Sequence, residues 1–247
     1  MKILAVDTST EILSLGVFEF LDPEEPNPSK ARVPMNLLGE ITLDCFRSHT
    51  EKLLSLLDTL LCQSGCPLET IRLLAVSIGP GSFTGLRVGL AAWKGLATAT
   101  KLPLVGVPTL DAMTRLGTFV EGWVCPILDA RMQEVFGAIY RYEAGRRTKL
   151  TPDLVCPIGK LLDQIEHTAA PLFFMGNGTR LYCDAIRQRF PQAYFVSEEH
   201  AVPRASAIAR EAFSLYKPQA PSDEGILIAP IYLRKSQAEE MHARKTP

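Results

Sequence analysis

At 247 residues the chain has room for two modest lobes, each able to bury a core. Its 26 Lys and Arg against 27 Asp and Glu give a formal net charge of −1, which excludes the basic field that a stand-alone nucleic-acid binder needs. A hydrophobic content of 47% with 21% charged residues suits a globular protein, and no run approaches the roughly twenty apolar residues that span a bilayer. The apolar opening Ile3-Leu4-Ala5-Val6 is too short for a signal peptide before Asp7 interrupts it. The six cysteines form neither a C-x-x-C pair nor half of a zinc ribbon, so they are expected as small buried hydrophobes in a reducing compartment, the cytoplasm.

Taken in chain order, 2–9 reads as a strand that ends in Asp7-Thr8-Ser9, and 12–21 as its antiparallel partner across a tight turn. Residues 22–34 carry four prolines and mixed charge, the composition of a solvated loop. A third strand spans 37–45. A helix is expected over 49–64, with Ser48 as N-cap and Glu51 in the capping-box position, ended by Gly65 and Pro67. The apolar run 73–78 is a buried strand, 83–100 a helix, 104–107 a short strand and 109–115 a short helix. The second half repeats the style. Residues 123–130 and 134–142 form an antiparallel pair, 159–167 a helix, 172–175 a strand, and 179–190 and 206–216 two more helices. An apolar extended segment over 225–233 precedes a polar tail. The repetition predicts an internally duplicated α/β fold with an N-terminal lobe over 1–110 and a C-terminal lobe over 111–247.

The segment from Ser77 to Gly89 joins a strand to a helix through Gly79-Pro80-Gly81, a backbone arrangement that can present N–H groups and a helix dipole to a phosphate. It lacks the Lys-Ser/Thr pair of a P-loop and any G-x-G-x-x-G. On the 49–64 helix, leucines 53, 54, 56, 57, 60 and 61 span an arc near ~160°, wider than one core requires. The 83–100 helix bears only two charges, Arg87 and Lys94, and its Gly85, Gly89, Ala91, Ala92, Gly95 and Ala97 leave room for a close neighbour. Periodicity alone does not separate an interface with another chain from packing inside this one.

The chain resembles one family, the TsaB (YeaZ-like) subunits of the bacterial tRNA threonylcarbamoyladenosine machinery. The matching residues are Ile3-Leu4-Ala5-Val6-Asp7-Thr8-Ser9, Ser48-His49-Thr50-Glu51-Lys52-Leu53-Leu54, the run Gly79 to Gly89, Pro103-Leu104-Val105-Gly106-Val107-Pro108-Thr109-Leu110 and Pro230-Ile231-Tyr232-Leu233-Arg234. The resemblance is dense to about residue 115 and then thins to scattered motifs. It implies an actin/Hsp70/sugar-kinase type fold and a non-catalytic subunit. Such a subunit pairs with a TsaD-type paralogue that transfers threonylcarbamate to the adenosine beside the anticodon of tRNAs reading ANN codons. It further implies a TsaE-type ATPase in the same complex, contact with tRNA only through that complex, and no membrane association; the apolar helices leave a homodimer open when the paralogue is absent. The paralogue's His-x-x-x-His metal ligands correspond here to Thr109 and Met113, a poor donor pair for Fe or Zn, so no metal is expected.

The residues expected to meet the partner are His49, Leu53, Leu57 and Leu60 on the first helix and Leu86, Arg87, Leu90 and Lys94 on the second; Arg87 and Lys94 are equally readable as that helix's exposed line. A remnant nucleotide site would draw on Asp7, Thr8, Gly79, Gly81, Gly176 and Gly178, with weak ATP or ADP binding left open and no other cofactor. For Asp7 and Thr8 a tight turn satisfying its own backbone competes with that role. The charges of Asp129-Ala130-Arg131 and Glu134 belong either to a cleft or to a solvated hairpin. The alternative function is an ATP-dependent phosphotransferase or a metallopeptidase of the same superfamily. Either needs converging bases, carboxylates or metal ligands, and no such constellation is evident in the sequence.

Overall fold

The computed structural model describes residues 1–21, 34–45, 48–117, 119–165, 170–197, 202–218 and 227–234. The proline-rich 22–34 segment, except Pro34, and the polar tail beyond 234 lie outside them. Alternation of apolar and small residues puts β1 (Lys2–Asp7) and β2 (Ile12–Phe20) in the middle of a five-stranded sheet. β3 (Met35–Asp44) forms one edge, and β4 (Leu73–Gly79) and β5 (Leu104–Pro108) extend the other side, in the order β3-β2-β1-β4-β5. The first three strands are antiparallel, whereas β1, β4 and β5 run parallel. Because β1 and β4 are covered on both faces, they are apolar almost throughout. The crossovers that parallel strands require are α1 (His49–Gln63) and α2 (Phe83–Thr100), which share one face of the sheet.

The second sheet repeats this order. β6 (Gly122–Asp129), β7 (Glu134–Gly137) and β10 (Leu154–Pro157) pair antiparallel, and β11 (Leu172–Met175) and β12 (Tyr194–Phe195) follow β6 in parallel. Between them, β8 (Tyr140–Glu143) and β9 (Arg146–Lys149) add a hairpin that pairs back to β6. α4 (Ile158–Leu162) and α5 (Gly178–Arg189) take the places of α1 and α2. Two sheets with one strand order and one set of strand senses show the internally duplicated α/β fold expected from the sequence.

The last helix of each repeat is exchanged. α3 (Thr109–Met113) sets Leu110 and Met113 against Val124, Leu128, Tyr140 and Met175 of the second sheet. α6 (Ala205–Leu215) lays Ala205, Ile208, Ala209 and Ala212 on Ile3, Ala5, Phe18 and Leu73 of the first. Alanines on α6 let it lie close to the sheet, with Phe213 stacked on Phe20 at 4.4 Å. Where α3 and α6 cross, Glu211, 2% exposed, accepts from Arg115 at 2.5 Å and from Arg147 at 2.6 Å. Arg147 also donates to the Asp111 carbonyl at 2.6 Å, so the buried carboxylate is paired from two elements.

Three local expectations change. Ser48 does not cap α1: its hydroxyl donates instead to the Cys45 carbonyl at 2.5 Å, so the capping box with Glu51 is not formed. The strand expected over 134–142 is broken at Ala138 and Ile139, which divide β7 from β8. The helix expected over 159–167 is a five-residue turn that ends at Leu162.

Candidate functional site

The Gly-rich turn and the Asp7 turn meet, and the contact leaves no space between them. A Cβ on Gly81 would lie 2.3 Å from the Ser9 carbonyl oxygen, on Gly85 2.0 Å from the Thr8 carbonyl oxygen, and on Gly89 2.3 Å from Thr8 Oγ1. The small residues of α2 therefore admit the chain's own 8–10 turn, which decides the two readings left open for Gly85 and Gly89 in favour of packing inside this chain. Two amides at the start of α2 are also engaged: Ser82 N–H donates to the Ser9 carbonyl at 2.6 Å and Gly85 N–H to Ser82 Oγ at 3.3 Å. Asp7 is fully buried and its Oδ1 accepts from Ser9 N–H at 3.0 Å and Ser9 Oγ at 2.9 Å. Its Oδ2 is buried without a hydrogen-bond partner, and burial pushes the carboxyl above its ordinary value against the pull of the Ser9 hydrogen bonds.

An interlobe cleft of about 600 Å³ opens beside this turn. Of the six residues expected at a nucleotide site, only Gly81 lines it; Asp7 and Thr8 are enclosed, and Gly79 is seated against the Ile231 carbonyl. Gly176, at φ 106°, faces the Ile127 carbonyl, and Gly178 is buried beside it, while Asn177 between them reaches the cleft and accepts from Asp129 N–H at 2.9 Å. The Asp129–Glu134 turn is both of the things weighed for it, a tight turn and a charged wall of the cleft. Arg131, Met132 and Gln133 all carry positive φ, at 62°, 52° and 62°. Arg131 reaches across to Glu11 at 2.6 Å, so the equivalent turns of the two lobes touch through an exposed ion pair. His49 also lines the cleft; it is 8% exposed and its Nε2 has no hydrogen-bond partner.

A second concavity, an apolar groove of about 480 Å³, runs between α1 and α2. Leu53, Val88 and Ala92 form its floor, and exposed Leu54, Arg87 and Ala91 its rims. Leu54 is 61% exposed, and it stands at the edge of an apolar concavity and not alone on a polar face. The expected partner residues are corrected here. Leu57, Leu60 and Leu90, between 3% and 7% exposed, belong to the chain's own core, because α1 and α2 press these side chains onto β1, β2 and β4, and Leu86 is enclosed beside Gly79; Leu53 belongs to the same core and meets the groove only as its floor. The wide leucine arc of α1 thus divides into a buried part and a remainder headed by Leu54. Arg87 stays on the surface, donating to Tyr232 Oη at 2.8 Å, and half-buried Lys94 does not line the groove. Nothing local in the sequence flags Glu11, and Tyr232, though it stands in a motif that carries the resemblance, is given no contact there; both contacts come from distant segments.

Thr109 and Met113 are fully buried between the lobes, with Met113 Cε 3.1 Å from a Cβ built on Gly176. Packing fills that position. Among the described residues no group of three or more His, Cys, Asp or Glu side chains is placed to hold a metal ion, all six cysteines are free, and no helix is long and apolar enough to cross a membrane.

Comparison with known proteins follows the same lines. A family model described as "TsaD: tRNA N6-adenosine threonylcarbamoyltransferase" matches residues 42–242. The chain is 26% identical over 241 residues to the tRNA threonylcarbamoyladenosine biosynthesis protein TsaB of Bacillus subtilis, covering 97% of this chain and 96% of the relative. It is 36% identical over 143 residues to the protein of the same name from Escherichia coli, covering 57% and 55% of the two chains. A solved structure of YeaZ from Pseudomonas aeruginosa shares the fold, with a TM-score of 0.69 at 24% identity over 94% of this chain and 99% of its own. The chain belongs to the threonylcarbamoyltransferase family that this model describes, on its TsaB (YeaZ-like) branch.

Proposed function

We propose that this chain serves tRNA threonylcarbamoyladenosine biosynthesis as a TsaB-type subunit that carries no chemistry of its own and docks a TsaD-type paralogue in the α1–α2 groove. The observation that carries the non-catalytic part is the filled first-lobe turn. Glycines that could bring a backbone close to phosphate are instead occupied by Thr8 and Ser9, and the carboxylate that a metal would need is shut inside. Thr109 and Met113 support it from the ligand side. The groove supports docking: apolar Leu54 and Ala91 with Arg87 at the edge suit a helical partner surface. The TsaB names of the relatives and the TsaD family match point to the same pairing. A TsaE-type ATPase in the same assembly, tRNA contact through the assembly alone, and work in the cytoplasm complete the reading. A homodimer through the same groove is its expected form without the paralogue.

Co-expression with a TsaD-type protein, pull-down, and assay of the modified adenosine test this. The expected result is a stable pair, with modification only when both are present. Modified nucleoside made by the purified chain alone, or sustained ATP turnover by it, overturns the non-catalytic reading. A pair that forms unchanged with Leu54→Glu overturns the groove as its site.

A further inference from the structure

Residues 227–234 lie across the mouth of the cleft and touch both lobes. On the first lobe Ile231 N–H donates to the Ile78 carbonyl at 2.7 Å, extending the hydrogen bonding of β4 by one bond. Two glycines receive the segment: a Cβ on Gly79 would stand 2.9 Å from the Ile231 carbonyl oxygen, and one on Gly106 2.7 Å from Ile228 Cγ2. Tyr232 then turns onto α2, its ring 4.8 Å from that of Phe83, with Arg87 donating to its hydroxyl and lying 3.9 Å over the Phe83 ring. On the second lobe Arg234 donates to the Ala130 carbonyl at 3.0 Å and pairs with Glu134. Those two contacts bracket the three consecutive positive-φ residues 131–133, a conformation that L residues hold only when their surroundings fix it.

We infer that residues 227–234 are a clasp: Arg234 holds the left-handed turn of the second lobe, Tyr232 holds the α2 face that borders the groove, and a partner seated on that face sets the spacing of the lobes. The coupling half of this rests on the docking reading above. Phe83 and Arg87 carry it, since both line the groove and both contact Tyr232. Coupling of this kind is reciprocal, so a held clasp favours docking as much as docking favours the clasp.

Hydrogen exchange of the full chain, alone and bound to a TsaD-type protein, tests both halves. In the free chain Arg234→Ala should speed exchange of the amides across 130–134 by about tenfold and leave β1 and β4 unchanged. Arg234→Lys, with one nitrogen in place of a fork, should give a smaller rise. Unchanged exchange at 130–134 in both variants, in chains that keep the parent melting temperature, overturns the clasp. On binding the partner, amides at 130–134 should slow in the parent chain and not in Arg234→Ala. A complex that forms while these amides keep their free-chain rates overturns the coupling and leaves the docking reading intact. Failure of any complex to form sinks the docking reading and the coupling together, and the free-chain comparison still decides the clasp.

Discussion

The turns that close β1 and β6 are built alike and end differently. Each starts with an aspartate at the end of a central strand, and each aspartate accepts from the amide two residues on, Asp7 from Ser9 at 3.0 Å and Asp129 from Arg131 at 2.8 Å. The neighbouring parallel strand reaches a glycine of positive φ in each case, Gly79 at the end of β4 at φ 105° and Gly176 just after β11 at φ 106°. Six residues past Gly79 stands Gly85, and the first turn settles onto it; six past Gly176 stands Tyr182, whose phenol is raised by burial and by nearby Asp129. Asp7 and Thr8 of the first turn become core and leave only Ser9, Thr10 and Glu11 to the cleft, whereas the second turn keeps its aspartate in the cleft wall. Duplication supplies the backbone geometry, and side-chain volume on the following helix decides whether a turn is available to anything else.

The sharpest way to break that contrast is to put volume on α2. Gly85→Val should cost about 3 kcal/mol or more in urea unfolding, since its Cβ meets the Thr8 carbonyl oxygen; a loss below 1 kcal/mol would mean that the turn can retreat. Next is the groove. Leu54→Glu should weaken partner binding by about 100-fold in a titration while leaving the melting temperature of the free chain nearly unchanged. Leu57→Glu, at 7% exposure, should unfold the chain instead.

Asp7 sharpens the comparison through pH. Its folded-state pKa lies above the unfolded value because burial disfavours the carboxylate, so its contribution to stability is fully present below the unfolded pKa and is lost as pH rises through the folded one. Asp7→Asn should therefore be more stable than the parent at neutral pH, with the gap closing as pH falls into the ordinary carboxylate range. A gap that does not vary with pH contradicts this. Smaller effects come last. Met132→Gly should gain about 1 kcal/mol by relieving a positive φ at an exposed position. Gly95→Ala should gain about 0.5–1 kcal/mol, since nothing lies within 4 Å of its Cβ position.

The first lobe was legible because its elements obey local rules. β1 and β4 are continuous apolar runs, α2 begins at Phe83 straight after the Gly-rich turn, and Gly and Pro punctuate the joins. The second lobe was legible only in part. β9, Arg-Arg-Thr-Lys, has no apolar alternation, and the two-residue β12 is too short to leave a pattern. At the candidate site the leucines of α1 and α2 gave a correct helical face and a wrong neighbour, since an apolar stripe records that a surface is covered and not by what. Arg87 and Tyr232 are 145 residues apart, and their contact depends on tertiary closure that no window of sequence contains.

The exchanged helices α3 and α6 bear on how the molecule can be divided. A fragment ending near residue 110 would leave Ile3, Phe18 and Leu73 without the lid that α6 supplies, and its complement would lose Leu110 from above Tyr140. Neither half is self-sufficient, yet each carries the cover the other lacks. Supplied as separate polypeptides, they are a matched pair, and a primordial single repeat would have reached the same closure only by embracing its own twin.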